Sequence, residues 1–179
     1  TRRPDLRDEW DLIEENGRMR GYDKVSPVAP LLPLVAVPGN PVKRFERNTK
    51  ERLAHAGFTE IMTYSFYGTR DIEAFGLEEA GHVELANPLN PDQTHLRRSL
   101  VPSLLRKVKE NLRHTDTFRI FEWESVFEKW KKLEVREAKM LAIASVSRDG
   151  GVKEFARLKG SIENLLESLR IGGAEFVPH

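Results

Sequence analysis

The chain has 179 residues and is almost neutral, with 29 Lys and Arg against 28 Asp and Glu, and it contains no cysteine. The lack of cysteine excludes a disulfide scaffold, a thiolate zinc site, an iron–sulfur cluster and a cysteine nucleophile, and it fits a reducing cytoplasmic location. The balanced charge argues against a protein that holds nucleic acid by bulk electrostatic attraction.

The first 24 residues contain 13 charged side chains and predict a helix that starts near Asp8. At helical spacing Asp11, Glu14 and Glu15 share one face, and Asp5 lies just upstream. Grouped carboxylates are typical ligands of a hard cation such as Mg²⁺. The alternative is structural, because acidic residues favour the first turn of a helix, and Asp8 with Asp11 resembles a capping box.

A segment without charge follows. Residues 26–41 contain five prolines and no charged side chain, which favours extended polyproline-like backbone and excludes both a helix and a membrane span. Its leucines and valines predict a strap along a surface between two domains. We therefore expect a small domain over 1–25, the strap over 26–41 and a larger domain over 42–179. Because the chain starts at Thr1 and ends at His179, we expect an excised segment of a longer cytoplasmic protein.

The sequence of the larger domain predicts alternating helices and strands. Asn40 and Pro41 predict a helix start, and Gly57 predicts its end. Hydrophobic periodicity and turn residues predict the remaining elements: a strand over 60–66, a short helix over 71–75, a short strand over 82–85, a helix over 99–112, strands over 118–130 and 139–147 joined by a charged connection over 131–137, and a helix over 155–169. This order predicts an α+β fold, with helices flanking an antiparallel sheet.

A local excess of positive charge surrounds the predicted helix over 99–112. The basic residues are Arg97, Arg98, Arg106, Lys107, Lys109 and Arg113. They could contact RNA phosphates or an acidic partner surface, and the alternative is a solvated helix face. The histidines and serines lack the spacing of a zinc site or a catalytic triad. From residues alone, the function stays open.

Several segments, in this order along the chain, resemble one family. The resembling segments are Arg3-Pro4-Asp5-Leu6, then DLIEE at 11–15, RMRGY at 18–22, Asn87-Pro88-Leu89, LRRSL at 96–100, FRIFEWESVF at 118–127 and LKGSIENLLESL at 158–169. Together they resemble the β subunit of bacterial phenylalanyl-tRNA synthetase, from the end of the small domain through most of the synthetase-like domain.

The resemblance implies a class II synthetase-like domain that is a non-catalytic copy, incomplete here at its C-terminus. It implies an α₂β₂ heterotetramer in which the α subunit binds ATP and activates phenylalanine for tRNA(Phe). It also implies that Mg²⁺ binds Asp5, Asp11, Glu14 and Glu15. The strand with Arg119 has the outline of a class II ATP-binding strand, but no catalytic role is transferred to Arg119. Two alternatives remain: an RNA-binding module that uses the basic helix, and a regulatory synthetase paralogue.

Overall fold

The chain divides into two units, Thr1–Pro38 and Gly39–His179. The computed structural model describes residues 3–131, 134–148 and 150–177. The described residues form these elements in chain order: α1 (Glu9–Arg20), a 3₁₀ turn (Tyr22–Lys24), α2 (Pro41–His55), β1 (Thr59–Glu60), β2 (Phe66–Tyr67), α3 (Thr69–Ala74), a second 3₁₀ turn (Glu79–Gly81), β3 (Val83–Glu84), β4 (His95–Leu96), α4 (Val101–Asn111), β5 (Thr117–Lys131), β6 (Glu134–Ser147) and α5 (Gly151–Ser168).

A capping box starts the helix of the first unit. Asp8 accepts hydrogen bonds from the backbone N–H groups of Trp10 at 2.9 Å and Asp11 at 3.3 Å. The Asp11 carboxylate accepts in return from the Asp8 N–H at 3.1 Å. This arrangement satisfies N–H groups that no helical carbonyl reaches. The predicted helix start and capping box are both confirmed. Residues 26–38 form neither helix nor strand, as their prolines predict.

The first helix of the second unit also follows its sequence signals. The Asn40 side chain accepts hydrogen bonds from Val42 N–H at 2.9 Å and Lys43 N–H at 3.2 Å. At the other end Gly57 adopts a left-handed φ of 85°, and Phe58 N–H reaches back to the Leu53 carbonyl at 3.0 Å. This is a Schellman motif, which turns the chain sharply and brings Phe58 against its own helix.

The main sheet has the order β1–β5–β6. The β5–β6 pair is antiparallel, but β1 joins β5 in parallel, with Thr59 opposite Ile120. The predicted α+β fold is confirmed, but the main sheet is mixed, so the expectation of an antiparallel sheet is met by the β5–β6 pair and not by β1. The physical reason is the crossover between β1 and β5, which contains the small sheet and α4 and returns the chain to the same end of the sheet.

The predicted strand over 60–66 is also wrong, because its two ends belong to different sheets. Its start lies in β1, whereas Phe66 lies in β2 of a small antiparallel sheet with the order β2–β4–β3. Between them Thr63 donates its N–H to the Glu122 carboxylate at 3.0 Å instead of to a neighbouring strand. β4 lies in a segment for which the sequence predicts no strand.

The hairpin is longer than expected. β6 begins at Glu134, and its residue Glu137 pairs with Phe127, so the predicted charged connection over 131–137 is mostly strand. Its residues 132–133 lie outside the described residues. The helices predicted over 71–75, 99–112 and 155–169 and the short strand near Val83 are confirmed. The core joins α2, β5 and α5 through Leu53, Phe58, Phe121 and Leu165.

Candidate functional site

Two of the charged residues of the central strand β5, Arg119 and Glu122, lie on opposite faces of the main sheet. Arg119 and Glu122 are three positions apart, and side chains alternate between faces along a strand. With β1 on one side and β6 on the other, β5 is the central strand of the sheet. Glu122 and its neighbour Phe121 are 0% and 1% exposed. The two charges therefore meet different surroundings.

Arg119 lies on the face that packs against α5. Its Nε lies 3.4 Å from a carboxylate oxygen of Glu154, and its guanidinium carbon is 5.9 Å from the centre of the Phe58 ring. Glu154 also accepts a hydrogen bond from the Ser145 hydroxyl and pairs with Arg157 at 3.3 Å. The hydrogen bond from Ser145, supported by the two arginines, lowers the pKa of Glu154. The guanidinium of Arg119 is thus held by groups of its own chain.

The opposite face contains a buried ion pair. Arg97 is 0% exposed and donates to the Glu122 carboxylate at 2.8 Å. It also donates to the Ser125 carbonyl at 2.9 Å and to the Thr63 hydroxyl at 2.9 Å. Buried charges need such a set of partners, because removal from water is costly. The pair links the end of β4 to β5 and the irregular segment after β1.

In the sequence Arg97 belongs to a cluster of basic residues, but the structure places its side chain in the interior. The signal in the sequence that could have found this burial is Glu122, a carboxylate between the aromatic residues Phe121 and Trp123. A charged residue in a strand that is covered on both faces needs an opposite charge nearby.

The remaining basic residues lie nearer the surface, and several have acidic partners. Arg98 pairs with Glu128 at 2.7 Å. Two more pairs involve α4, namely Arg106 with Asp71 at 2.9 Å and Lys107 with Glu110 at 2.7 Å. Lys109 and Arg113 are exposed. The local positive excess is therefore smaller in the folded chain than in the sequence.

A cleft of about 610 Å³ lies beside α4. Its lining residues are Met62, Thr63, Tyr64, Phe66, Asn90, Asp92, Gln93, Ser103, Arg106, Lys107 and Glu110. Two basic and two acidic side chains line this cleft, so it has no excess of either charge. Arg106 is already paired with Asp71, which leaves no strong anion-binding arrangement there.

Two buried histidines belong to the small sheet. The Tyr67 hydroxyl is 2.5 Å from His82 Nε2, and His82 Nδ1 is 2.9 Å from the Glu78 carbonyl oxygen. Since that carbonyl can only accept, Nδ1 carries the proton and Nε2 accepts from Tyr67. Burial lowers the pKa of His82 and raises that of Tyr67. His95 stacks edge-on against His82 with 6.1 Å between ring centres. This network links β2 and β4 to the turn that precedes β3.

The four carboxylates proposed as magnesium ligands lie in the first unit. The structure brings Asp5 and Glu15 to the same arginine side chain: Arg3 Nη2 is 2.6 Å from a carboxylate oxygen of Asp5 and 2.9 Å from one of Glu15. Hydrogen bonds from Arg3 lower the pKa of both carboxyls, and Arg18 adds to the effect at Glu15. Asp11 caps the helix, and Glu14 is exposed. Across residues 3–131, 134–148 and 150–177, no three acidic or histidine side chains form a group that could hold a metal ion.

The fold of most of the chain is shared with solved structures. Two structures of pyrrolysyl-tRNA synthetase from Desulfitobacterium hafniense match 76% of the chain, with TM-scores of 0.62 and 0.61 and sequence identities of 21% and 20%. The chain covers 49% and 50% of those two proteins. The fold is therefore one that an aminoacyl-tRNA synthetase uses.

Comparisons with known sequences identify the family of aminoacyl-tRNA synthetases that the chain is similar to. Residues 26–179 match the family described as the phenylalanyl tRNA synthetase beta chain CLM domain. The chain is 34% identical, over 99% of its length, to the phenylalanine–tRNA ligase beta subunit of Bacillus subtilis, and 44% identical over 63% to that of Solibacter usitatus. The chain belongs to the phenylalanyl-tRNA synthetase β-chain family, as its motifs predict. It spans 23% and 15% of the length of those two relatives.

In the ranges that the structure describes, no helix combines the length and the apolar character needed to cross a bilayer.

Proposed function

We propose that this chain is a non-catalytic scaffold segment of the ligase. It packs on the catalytic α subunit, within an α₂β₂ assembly that charges tRNA(Phe) with phenylalanine at the expense of ATP in the cytoplasm. In this proposal residues 1–25 form the C-terminal part of the small domain. Residues 26–41 connect it to residues 42–179, which form the synthetase-like scaffold. ATP binds at the α subunit and not to this segment.

The observation that supports the proposal is that the Arg119 side chain already contacts groups of its own chain. In the class II strand that β5 resembles, an arginine grips the α-phosphate of ATP. Here Glu154 and the Phe58 ring hold the guanidinium within its own chain. An ATP phosphate would have to displace the Glu154 carboxylate, which itself has two other partners. Arg119 therefore supports a structural role for this strand.

Replacing Arg119 by alanine in the full-length β chain tests the proposal. With the α subunit present, we expect phenylalanine-dependent ATP–pyrophosphate exchange to stay within about twofold of the unmodified complex. An arginine that stabilises transition-state charge would instead cost roughly 10²-fold or more in kcat. Arg157→Ala is the matched control, because Arg157 also pairs with Glu154.

Two results would contradict the scaffold function. One is a loss of exchange with Arg119→Ala in a complex that still assembles. The other is exchange catalysed by the purified 179-residue chain alone.

We also propose that Asp5, Asp11, Glu14 and Glu15 bind Mg²⁺, which would have to draw them together, because they do not form a metal-binding group in the structure. Carboxylate oxygens suit this hard cation, and two of the four already converge on one positive group. The positive group between Asp5 and Glu15 is Arg3. The Asp11 carboxylate accepts the capping hydrogen bond from the Asp8 N–H. A cation would therefore have to displace Arg3.

This competition predicts the effect of Arg3→Ala on Mg²⁺ binding. In calorimetric titrations of the chain, Arg3→Ala should bind Mg²⁺ at least about tenfold more tightly, since a competing charge is removed. Arg7→Ala is the control, since Arg7 contributes only its backbone N–H to this cluster. Equal Mg²⁺ affinities for the unmodified chain and Arg3→Ala would speak against Arg3 as the competitor, and no binding by either would speak against the site.

The two alternatives gain no support from a specific observation. For an RNA-binding module, the basic helix would need free cations, yet Arg97 is buried and Arg98 and Arg106 have acidic partners. A regulatory paralogue would share the same fold. We therefore retain the scaffold function.

A further inference from the structure

The small sheet has little backbone pairing of its own. Its strands β2, β3 and β4 contain two residues each and pair in the order β2–β4–β3. Short ladders of this kind are marginal in water, and regions with few backbone hydrogen bonds open before the core does. The side chains at the centre of this sheet therefore contribute a large part of its stability.

Tyr67 lies among these central side chains. It is 0% exposed and is the partner of His95 across β2 and β4. Its hydroxyl oxygen accepts the Arg98 N–H at 2.9 Å, and its O–H donates to His82 Nε2 at 2.5 Å. His82 Nδ1 donates in turn to the Glu78 carbonyl at 2.9 Å. Each group in this series donates to the next one, so its hydrogen bonds all run in one direction.

This direction requires a neutral His82 ring. Protonation would place a hydrogen on Nε2, which could then no longer accept from Tyr67. Among the described residues, His82 Nε2 is the one acceptor that the Tyr67 O–H reaches. A protonated ring would therefore leave the hydroxyl proton of Tyr67 buried without an acceptor, which destabilises the closed sheet.

The surroundings of His82 disfavour a positive ring. Its side chain belongs to a residue that is 4% exposed, and burial is the main cause of its lowered pKa. The hydrogen bond to the Glu78 carbonyl acts in the opposite direction without outweighing burial. The positive charge of Arg98 and the neighbouring His95 ring lower the pKa further.

His82 also lines a cleft of about 680 Å³, which brings solvent to one side of its ring. The charged side chains of the described residues around this ring comprise three acidic and three basic groups: Glu79, Glu84, Glu134, Arg98, Lys129 and Lys131. On the other side of the hydrogen bond, the charge of Asp71 acts on Tyr67. Because the six charges around the ring balance, they supply no excess of negative charge that would stabilise a protonated His82.

We infer that His82 is a proton-sensitive switch of the small sheet: its neutral ring links β2 and β4 to the turn before β3, and its protonation favours opening of this sheet ahead of the main sheet. This inference concerns the second unit alone and does not depend on the proposed function.

The direction of the pH dependence follows from the lowered pKa of His82. The opened sheet binds a proton more readily than the closed one, so the stabilisation is present above the ordinary pKa of 6.5 and is lost as the pH falls below it. Carboxyl groups with a lowered pKa, such as that of Glu154, titrate below their ordinary value of 4.5. The range between pH 7.5 and 5.5 therefore reports on histidines.

Hydrogen exchange of the 179-residue chain at pH 7.5 and pH 5.5 tests this inference. After correction for the effect of pH on intrinsic exchange, the protection of the β2, β3 and β4 amides should fall by at least about threefold at pH 5.5. A single histidine with an ordinary pKa in the opened sheet limits this loss to about tenfold. At pH 5.5 the central amides of β5 and β6 should remain at least about tenfold better protected than those of the small sheet.

Two substitutions assign the effect to a residue. His82→Gln should remove the pH dependence, because an amide oxygen can still accept from Tyr67 but does not titrate. His55→Gln is the matched control, since His55 Nδ1 also lies against the carbonyl four residues earlier, at 2.7 Å from the Glu51 oxygen, but its ring is exposed. The control variant should lose protection at pH 5.5 to the same extent as the unmodified chain.

An NMR titration of the His82 ring in the unmodified chain gives a measurement that needs no variant. Its midpoint should lie below 6.5, the ordinary value for histidine. A midpoint at or above 6.5 would overturn the inference, and so would equal protection of the two sheets at pH 5.5. A loss of protection that persists in His82→Gln, or that His55→Gln or His95→Gln abolishes instead, would assign the pH dependence to another group and overturn the role of His82.

Discussion

Replacing Arg97 by methionine should lower the free energy of unfolding by about 3–5 kcal/mol, because it leaves the Glu122 carboxylate buried without an opposite charge. Both side chains are almost completely excluded from solvent, at 1% and 0% exposure. Methionine keeps much of the length of arginine, so the effect reports charge more than volume. Urea unfolding followed by tryptophan fluorescence measures the change.

Two further variants separate this effect from general damage. Arg98→Met removes a more exposed pair with Glu128 and should cost no more than about 1 kcal/mol. Adding Glu122→Leu to Arg97→Met should recover most of the lost stability, since an apolar pair can replace a buried ion pair. A loss below about 1 kcal/mol for Arg97→Met, or no recovery in the double variant, would show that the pair is not the main interaction at this position.

Phe58→Ala should cost a similar amount, about 3–5 kcal/mol, because it opens a cavity between α2, β5 and α5. The ring is 4% exposed and belongs to the core cluster with Leu53, Phe121 and Leu165. It also faces the guanidinium of Arg119. Its loss therefore weakens both the core and the position of that arginine. The midpoint of urea unfolding should fall while the dependence on denaturant concentration stays unchanged.

Phe155→Ala provides the matched control for this substitution. Phe155 lies on α5 and is 69% exposed, so its removal should change stability by less than about 0.5 kcal/mol. Similar losses from the two phenylalanine substitutions would contradict the assignment of Phe58 to the core.

The local signals in the sequence were sufficient for the helices. Asn40, Pro41 and Gly57 specify the two ends of α2 through hydrogen bonds between nearby residues, and Asp8 does so for the start of α1. Such interactions depend on a few neighbouring positions and can be read without knowledge of the fold. The same is true of residues 26–38, whose prolines exclude the interior of a helix.

The strand boundaries and the buried ion pair depend on residues that are far apart in the sequence. Local patterns therefore did not predict them. Whether 60–66 forms one strand or two depends on Thr63 meeting Glu122, which is 59 positions away in the chain. Arg97 looked like a member of a basic surface, because its neighbours in sequence are basic. Its burial follows from the packing of β4 against β5, which no periodicity reveals. The family motifs identified the fold without showing that Arg119 is held by Glu154.

The mixed sheet has a consequence for the order in which the second unit folds. The β5–β6 hairpin closes between neighbours in sequence, whereas β1 pairs with β5 across about sixty residues. Hairpins form within microseconds, and pairing between distant segments is slower because it must first close a long loop. Glu122 would then remain hydrated on an early hairpin until Thr63 and Arg97 arrive. The charge at the centre of the sheet therefore loses its water in the last steps of folding.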